Sequence, residues 1–115
     1  MSNGPTVLEF WREGLLRSIK NNAPDLNTRQ TYILLSVYMA DPPHTVRGFA
    51  KQMNVTKPVI TRALDTLEKL ELLKRSPDEN DKRSILIGRT VKGAVFLRDF
   101  ADLIDNPNAP MQTQQ

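Results

Sequence analysis

Two short stretches concentrate the chemistry of this 115-residue sequence. Thr56–Arg62, "TKPVITR", sets two hydroxyls, an ammonium, a guanidinium and a proline ring close together. Hydroxyls bond phosphate oxygens or base edges, an apolar ring presses on a thymine methyl, and a guanidinium forks onto guanine. Here those groups are Thr56, Lys57, Pro58, Thr61 and Arg62. Ser76–Gly88, "SPDENDKRSILIG", places Asp78, Glu79 and Asp81 ahead of Lys82 and Arg83, in front of an aliphatic run. The two bases suit a loop tip that reaches a minor groove or its phosphates. Asp81, two residues before Arg83, is placed to hold that guanidinium in a bidentate pair and so present it pre-ordered, while Asp78 and Glu79 face solvent. Each stretch also has a plainer reading, the first as the wet face of an amphipathic helix and the second as a solvated turn. The surrounding elements must decide.

Around "TKPVITR" the spacing predicts two helices joined at a tight turn. "TVRGFAKQM" reads as a short helix capped by Thr45, and "NVT" (Asn54–Thr56) as a three-residue turn in which Asn54 takes the left-handed conformation. The helix that follows, "TKPVITRALDTLEKLELL", has Thr56 as its N-cap and Pro58 in the first turn, where a missing N–H is harmless. Val59, Ile60, Ala63, Leu64, Leu67 and Leu70 form its buried stripe, which leaves Lys57, Pro58, Thr61, Arg62, Asp65 and Thr66 on the open face. Strands follow at Leu72–Ser76 and Ser84–Arg89, with the charged loop between them.

Outside this centre the pattern is helical. A capping box of Thr6 and Glu9 starts a helix over 6–22, with Val7, Leu8, Trp11, Leu15 and Ile19 on one face. "NNAPDLN" breaks it. A second helix runs from about Thr28 to "DPP", with Ile33, Leu34, Val37 and Tyr38 inward. A last helix spans 90–104, with Gly93 in its first turn marking a close backbone approach. The tail 105–115, "DNPNAPMQTQQ", has little to bury and is expected to be disordered. The fold class is α+β, mostly helical: helix, helix, short helix, turn, long helix, hairpin, helix. That order is a winged helix-turn-helix with flanking N- and C-terminal helices, in one domain over 1–104.

Composition narrows the function. Zero cysteines exclude disulfides, thiolate metal sites and thiol redox sensing, and a single histidine, His44, excludes the helical double-histidine zinc motif. No nucleophile–base pair or paired-acid motif is visible, so no enzyme is expected, and no cofactor or metal is called for. His44, beside two prolines, reads as a turn or short-strand residue. No run has the length of a membrane helix and the N-terminus lacks a signal pattern, which places the chain in the cytoplasm. The net charge is +3, yet residues 45–92 hold 11 Lys/Arg against 6 Asp/Glu. A basic centre between mildly acidic ends is the footprint of a polyanion binder.

The segment "FAKQMNVTKPVITRALDTLEKLELLKRSPDENDKRSILIGRTVKG" (Phe49–Gly93) resembles the DNA-binding core of the MarR family of bacterial transcription regulators. The match rests on the "VTKPVITR" helix start, the Asp81-x-Arg83 wing signature within "LEKLELLKRSPDENDKRS", and the "TVKG" that opens the next helix. The resemblance implies that Thr56, Lys57, Pro58, Thr61 and Arg62 face the major groove of double-stranded DNA, and that Arg83 enters the minor groove with Asp81 as wing anchor, beside the Lys82 already read as a wing base. It implies a sequence-specific regulator, a repressor, acting as a homodimer on a palindromic operator, with a small aromatic anion as effector class. Arg12, Arg17 and Tyr38 are candidates for an effector crevice, although ordinary surface and core places are their simpler reading. Asn54 stands where the family often has glycine, and Gly48 where it usually has a helix former, which weakens the short helix by about 1 kcal/mol. The family pattern runs on through a long fifth helix and a sixth, whereas this sequence stops soon after Ile104.

The dimer expectation rests on surplus apolar surface. Ala94, Leu97, Ala101 and Ile104 line one stripe of the last helix, with Phe96, Phe100 and Leu103 beside it, and one core needs only one stripe. With Phe10 and Trp11 of the first helix, these residues make 6–22 and 90–104 the candidate dimerisation helices. A second reading takes the chain as a winged-helix protein-interaction module, or as an accessory DNA-binding subunit without its own effector.

Overall fold

The computed structural model describes residues 4–105, so the tail expected over 105–115 lies, apart from Asp105, outside the described residues. Five helices and one hairpin follow in chain order: α1 (Gly4–Lys20), α2 (Thr28–Met39), α3 (Val46–Met53), α4 (Lys57–Lys69), β1 (Leu73–Asp78), β2 (Asp81–Arg89) and α5 (Val91–Asp105). This is the expected α+β winged helix-turn-helix. The described residues divide into two units. One covers Leu26–Val95 and the other combines α1 with the part of α5 from Phe96 onward. No described helix is long and apolar enough to cross a membrane.

In the larger unit the core is built where the periodicities place it. Ile33, Leu34 and Val37 of α2 meet Phe49 and Ala50 of α3, then Ile60, Ala63, Leu64 and Leu67 of α4, and the hairpin adds Leu73 and Ile87. Each fully buried Leu, Ile or Val contributes roughly 1.5–3 kcal/mol by leaving water. Two of the α4 residues expected in the stripe, Val59 and Leu70, are only half-buried, because they sit at the ends of the helix where neighbours thin out.

Local signals fix the boundaries. Asn27 and Gln30 form a reciprocal capping box that starts α2, each side chain accepting the other's backbone N–H at 2.9 Å. Thr45 caps α3 by accepting the Gly48 N–H at 2.9 Å. A Cβ on Gly48 would lie 3.0 Å from that hydroxyl, so the glycine gives the cap room at the expense of helix propensity. Asn54 ends α3 in the left-handed conformation, φ 54°, as the turn requires. Glu71 does the same after α4 at φ 63°, an uncommon conformation for a residue with a Cβ. The Leu72 N–H donates to the Leu67 carbonyl at 2.9 Å and the Thr90 hydroxyl to the Glu71 carbonyl at 2.7 Å, which together hold that reversal.

Three expectations about element ends are corrected. α1 begins at Gly4, so Thr6 lies inside the helix and the Thr6–Glu9 box is not its start. Pro5 takes the first turn, where proline is favoured. Thr56 does occupy the N-cap of α4, as expected, with extended backbone, although its side chain makes no cap hydrogen bond. Asp105 belongs to α5 rather than to the tail. The hairpin is also longer than expected. β1 reaches Asp78 and β2 starts at Asp81, leaving Glu79 and Asn80 as the turn.

The smaller unit holds α1 against the end of α5. A Cβ on the buried Gly14 would collide with Ile104, so the two helices approach closely at that point. The rest of the α1 apolar face is open: Val7, Leu8, Trp11, Leu15 and Ile19 are 44–71% exposed.

Candidate nucleic-acid interface

The N-terminal half of α4 projects from the core on a rigid base. Ile60, Ala63, Leu64 and Leu67 are buried on one side, which turns Lys57, Pro58 and Arg62 outward, with Thr61 half-buried between them. The first turn carries no acid, so the positive end of the helix dipole and Lys57 act in the same sense. The Arg62 Nε donates to the Pro58 carbonyl at 3.3 Å, which directs the guanidinium back toward the helix start. Thr66 donates its hydroxyl to the Arg62 carbonyl at 3.4 Å. A groove of about 330 Å³ runs beside this face, lined by Asn27, Arg29 and Gln30 from α2 and by Val59, Arg62, Ala63 and Thr66 from α4. The structure therefore brings Thr56, Lys57, Pro58, Thr61 and Arg62 together on one face.

The hairpin supplies the second basic element, in a form the sequence did not suggest. Pairing is regular from Leu73↔Arg89 to Pro77↔Ile85, then jumps to Asp78↔Asp81. Lys82, Arg83 and Ser84 therefore bulge from β2 with no β1 partner, and both basic side chains are exposed. A bulge bends a strand and re-aims its side chains, so the cations sit on a shaped strand segment rather than in a loop tip. Asp78 does not simply face solvent, because its carboxylate accepts the Asn80 N–H at 2.9 Å and closes the turn.

Asp81 does contact Arg83, but the expected bidentate pair is absent. One oxygen, Oδ1, accepts the Arg83 backbone N–H at 3.0 Å and the Nε at 3.5 Å. The first bond is the good one, so Asp81 shapes the backbone of the bulge and touches the guanidinium only weakly. The Arg83 side chain is 80% exposed.

Two clusters escaped the sequence reading. Arg75 of β1 reaches back to α4: its Nε and Nη2 donate to the Glu68 Oε1 at 2.8 and 2.6 Å, and Nη2 donates to the Asp65 Oδ1 at 2.8 Å. The Arg75 side-chain hydrogen bond holds the Glu68 carboxyl below the usual glutamate value, against the opposing effect of burial. The same bond raises Arg75. Asp65, expected on the open face, is thus taken up by the hairpin. In the second cluster the Tyr38 hydroxyl donates toward the Leu72 and Thr90 carbonyls at 2.8 and 3.0 Å and accepts the Thr90 N–H at 2.8 Å. Gly93 packs on that hydroxyl and on the Leu72 carbonyl, leaving no room for a Cβ. The close approach expected at Gly93 is there.

The effector-crevice candidates have other surroundings. Tyr38 is committed to the junction just described, Arg17 is buried, and Arg12 is exposed 3.6 Å from Glu13. The His44 carbonyl accepts the Ile87 N–H at 2.9 Å, next to the single bridge that Thr45 makes with Leu86, so His44 borders a strand pairing without itself lying in a strand. Among the described residues no group of His, Cys, Asp or Glu side chains could hold a metal ion.

A polar helix face presented by a helix-turn-helix, backed by a hairpin with basic bulge, defines a winged-helix protein. The MarR family profile matches residues 26–85, more than half of the sequence, and the chain belongs to the MarR family, whose members are transcriptional regulators rather than enzymes. Solved structures agree on the fold. A DNA complex of MepR from S. aureus superposes with a TM-score of 0.70 at 23% identity, covering 86% of this chain and 78% of that one. YusO from Bacillus subtilis gives 0.67 at 20% identity, covering 89% and 70%. ZitR from Lactococcus lactis, a zinc-responsive MarR family member, gives 0.57 at 28% identity, covering 68% and 53%. No curated protein sequence matches the chain.

Proposed function

We propose that the chain is a sequence-specific regulator that binds double-stranded DNA as a homodimer and represses by occupying a palindromic operator. The observation that carries this reading is the joint exposure of the α4 start and the β2 bulge in a fold also seen in a MepR–DNA complex. In this reading α4 enters the major groove. Thr56, whose hydroxyl makes no cap hydrogen bond, and Thr61 bond phosphate or base edges, Lys57 neutralises a phosphate, Pro58 makes apolar contact, and Arg62 reads guanine. Lys82 and Arg83 meet the minor groove or its phosphates, on a bulge shaped by Asp81.

Dimerisation through α1 and α5 is supported by the open apolar face of Val7, Leu8, Trp11, Leu15 and Ile19, too large a surface to leave in water without a partner. A two-fold arrangement matches a two-fold operator, and pairing two readers raises affinity for it. Selection of bound duplexes from a random pool with the purified protein tests the proposal. A palindromic consensus is expected. Recovery of no enriched sequence contradicts it and favours an accessory or protein-binding role.

A further inference from the structure

The hairpin is a two-stranded sheet, and such a hairpin is marginal by itself. Its two strands are tied down differently. β2 is held at one edge by the Thr45↔Leu86 bridge and by the Ile87 N–H donating to the His44 carbonyl at 2.9 Å. Among the described residues, no strand pairs with the outer side of β1. Its polar tie to α4 is Arg75, where Glu68 accepts the backbone N–H with Oε2 at 3.3 Å and the guanidinium with Oε1 at 2.6 and 2.8 Å. One carboxylate thus grips both the main chain and the side chain of β1. Asp65 adds a second acceptor at 2.8 Å.

The location matters as much as the bonds. Asp65 and Glu68 lie three residues apart on α4, and Asp65 follows Arg62 by three, so the acids occupy the next turns of the face that carries the reading residues. Arg75 lies opposite Ile87 in the ladder, and Ile87 is buried in the core, so the clamp sits at the root of the hairpin rather than near its turn. Movement at the root is magnified along the strand at Lys82 and Arg83. The Arg75 side chain is only 25% exposed, which shields its bond to Glu68 from solvent more than a surface pair, whereas Asp65 is 58% exposed and contributes less.

We infer that Glu68, Asp65 and Arg75 form a clamp that fixes the angle of the wing relative to the recognition helix, and that they are positioning residues for DNA reading. The inference rests on the DNA-binding proposal for its consequence, but its mechanical part is independent of DNA. Two acids beside a DNA-reading face repel phosphate, so a purely electrostatic account expects tighter binding when either is neutralised. The clamp gives the opposite sign.

The test has two arms, on the full chain. In the free protein, amide exchange is compared between wild type, Glu68→Gln and Arg75→Lys. The wing amides of residues 76–84 are expected to exchange faster in both variants, while the core amides of Leu34, Leu64 and Leu67 keep their protection. Arg75→Lys retains the charge and loses the planar fork, so a charge-only role leaves it like wild type. In the second arm, affinity for the selected duplex is measured for Arg83→Ala alone and combined with Glu68→Gln. The clamp predicts weaker binding by Glu68→Gln and a non-additive pair, with coupling of about fivefold or more, because Arg83 has less to lose once the wing is loose. Unchanged wing exchange overturns the clamp whether or not DNA binds. Faster wing exchange with strictly additive affinities overturns its role in DNA reading, and failure of wild type to bind any duplex overturns the functional proposal and that role together.

Discussion

Arg62 and Arg83 are both exposed arginines near the interface, yet they are expected to fail differently. Arg62 is steered along α4 by its bond to the Pro58 carbonyl, toward the helix start that is proposed to enter the major groove. Arg62→Ala should relax base preference within each half-site, at about 1–3 kcal/mol for the preferred base. An unchanged preference profile, measured by repeating the duplex selection with the variant, places Arg62 on phosphate or off the DNA. Arg83 stands on the bulge with its backbone N–H fixed by Asp81. Asp81→Ala removes a negative charge, so electrostatics alone expects tighter binding. Loss of the bond that shapes the bulge expects weaker binding, since Arg83 must then be ordered when it docks. Titration of one duplex with wild type and Asp81→Ala decides the sign, and weaker or equal binding is the expected result. The exposure of both arginines was legible from their types and spacing. The form of the Asp81 contact was not, because the register jump at Pro77/Asp78 that creates the bulge depends on strand pairing and leaves no local signature.

The elements were read from periodicity and caps, and α2, α3, the turn at Asn54 and α4 lie where those signals put them. What escaped was carried by junctions. The Glu68–Arg75 clamp joins residues on either side of a reversal at Glu71, a residue type that gives no warning of φ 63°. Tyr38 reads as one more apolar position of α2, and its hydroxyl finds partners 34 and 52 residues away. Two outcomes follow at this scale. Gly93→Ala forces a Cβ against the Leu72 carbonyl and the Tyr38 hydroxyl, so it should destabilise by about 1–3 kcal/mol despite the better helix propensity of alanine. A melting temperature equal to or above wild type contradicts the close packing. The Glu68 carboxyl is held low by Arg75, so its ionised form favours the fold. That stabilisation is complete above the ordinary glutamate value of about 4.3 and is lost as pH falls through the lower folded value. Glu68→Gln should therefore flatten the dependence of melting temperature on pH in the acid range, and identical slopes for both proteins exclude the assignment.

For the whole molecule, the sequence points to surplus apolar surface on both the first and last helices, and the distribution differs from that expectation. α5 keeps Leu97, Phe100, Leu103 and Ile104 half-buried, while α1 carries the open face. The dimer account therefore rests more on α1. Trp11→Asp should yield a folded chain that sediments as a monomer at micromolar concentration and binds the duplex poorly. A wild type already monomeric there removes the dimer from the proposal.

The central claim is that the α4 face and the β2 bulge meet DNA through its phosphates as well as its bases, and salt dependence tests it most directly. Affinity for the selected duplex is measured from low to moderate salt for wild type and for Arg83→Ala. The account predicts that log affinity falls linearly with log salt at a slope of magnitude about 4 or more, and that Arg83→Ala makes it shallower by about one unit per wing. A slope near zero, or the same slope in both proteins, contradicts it.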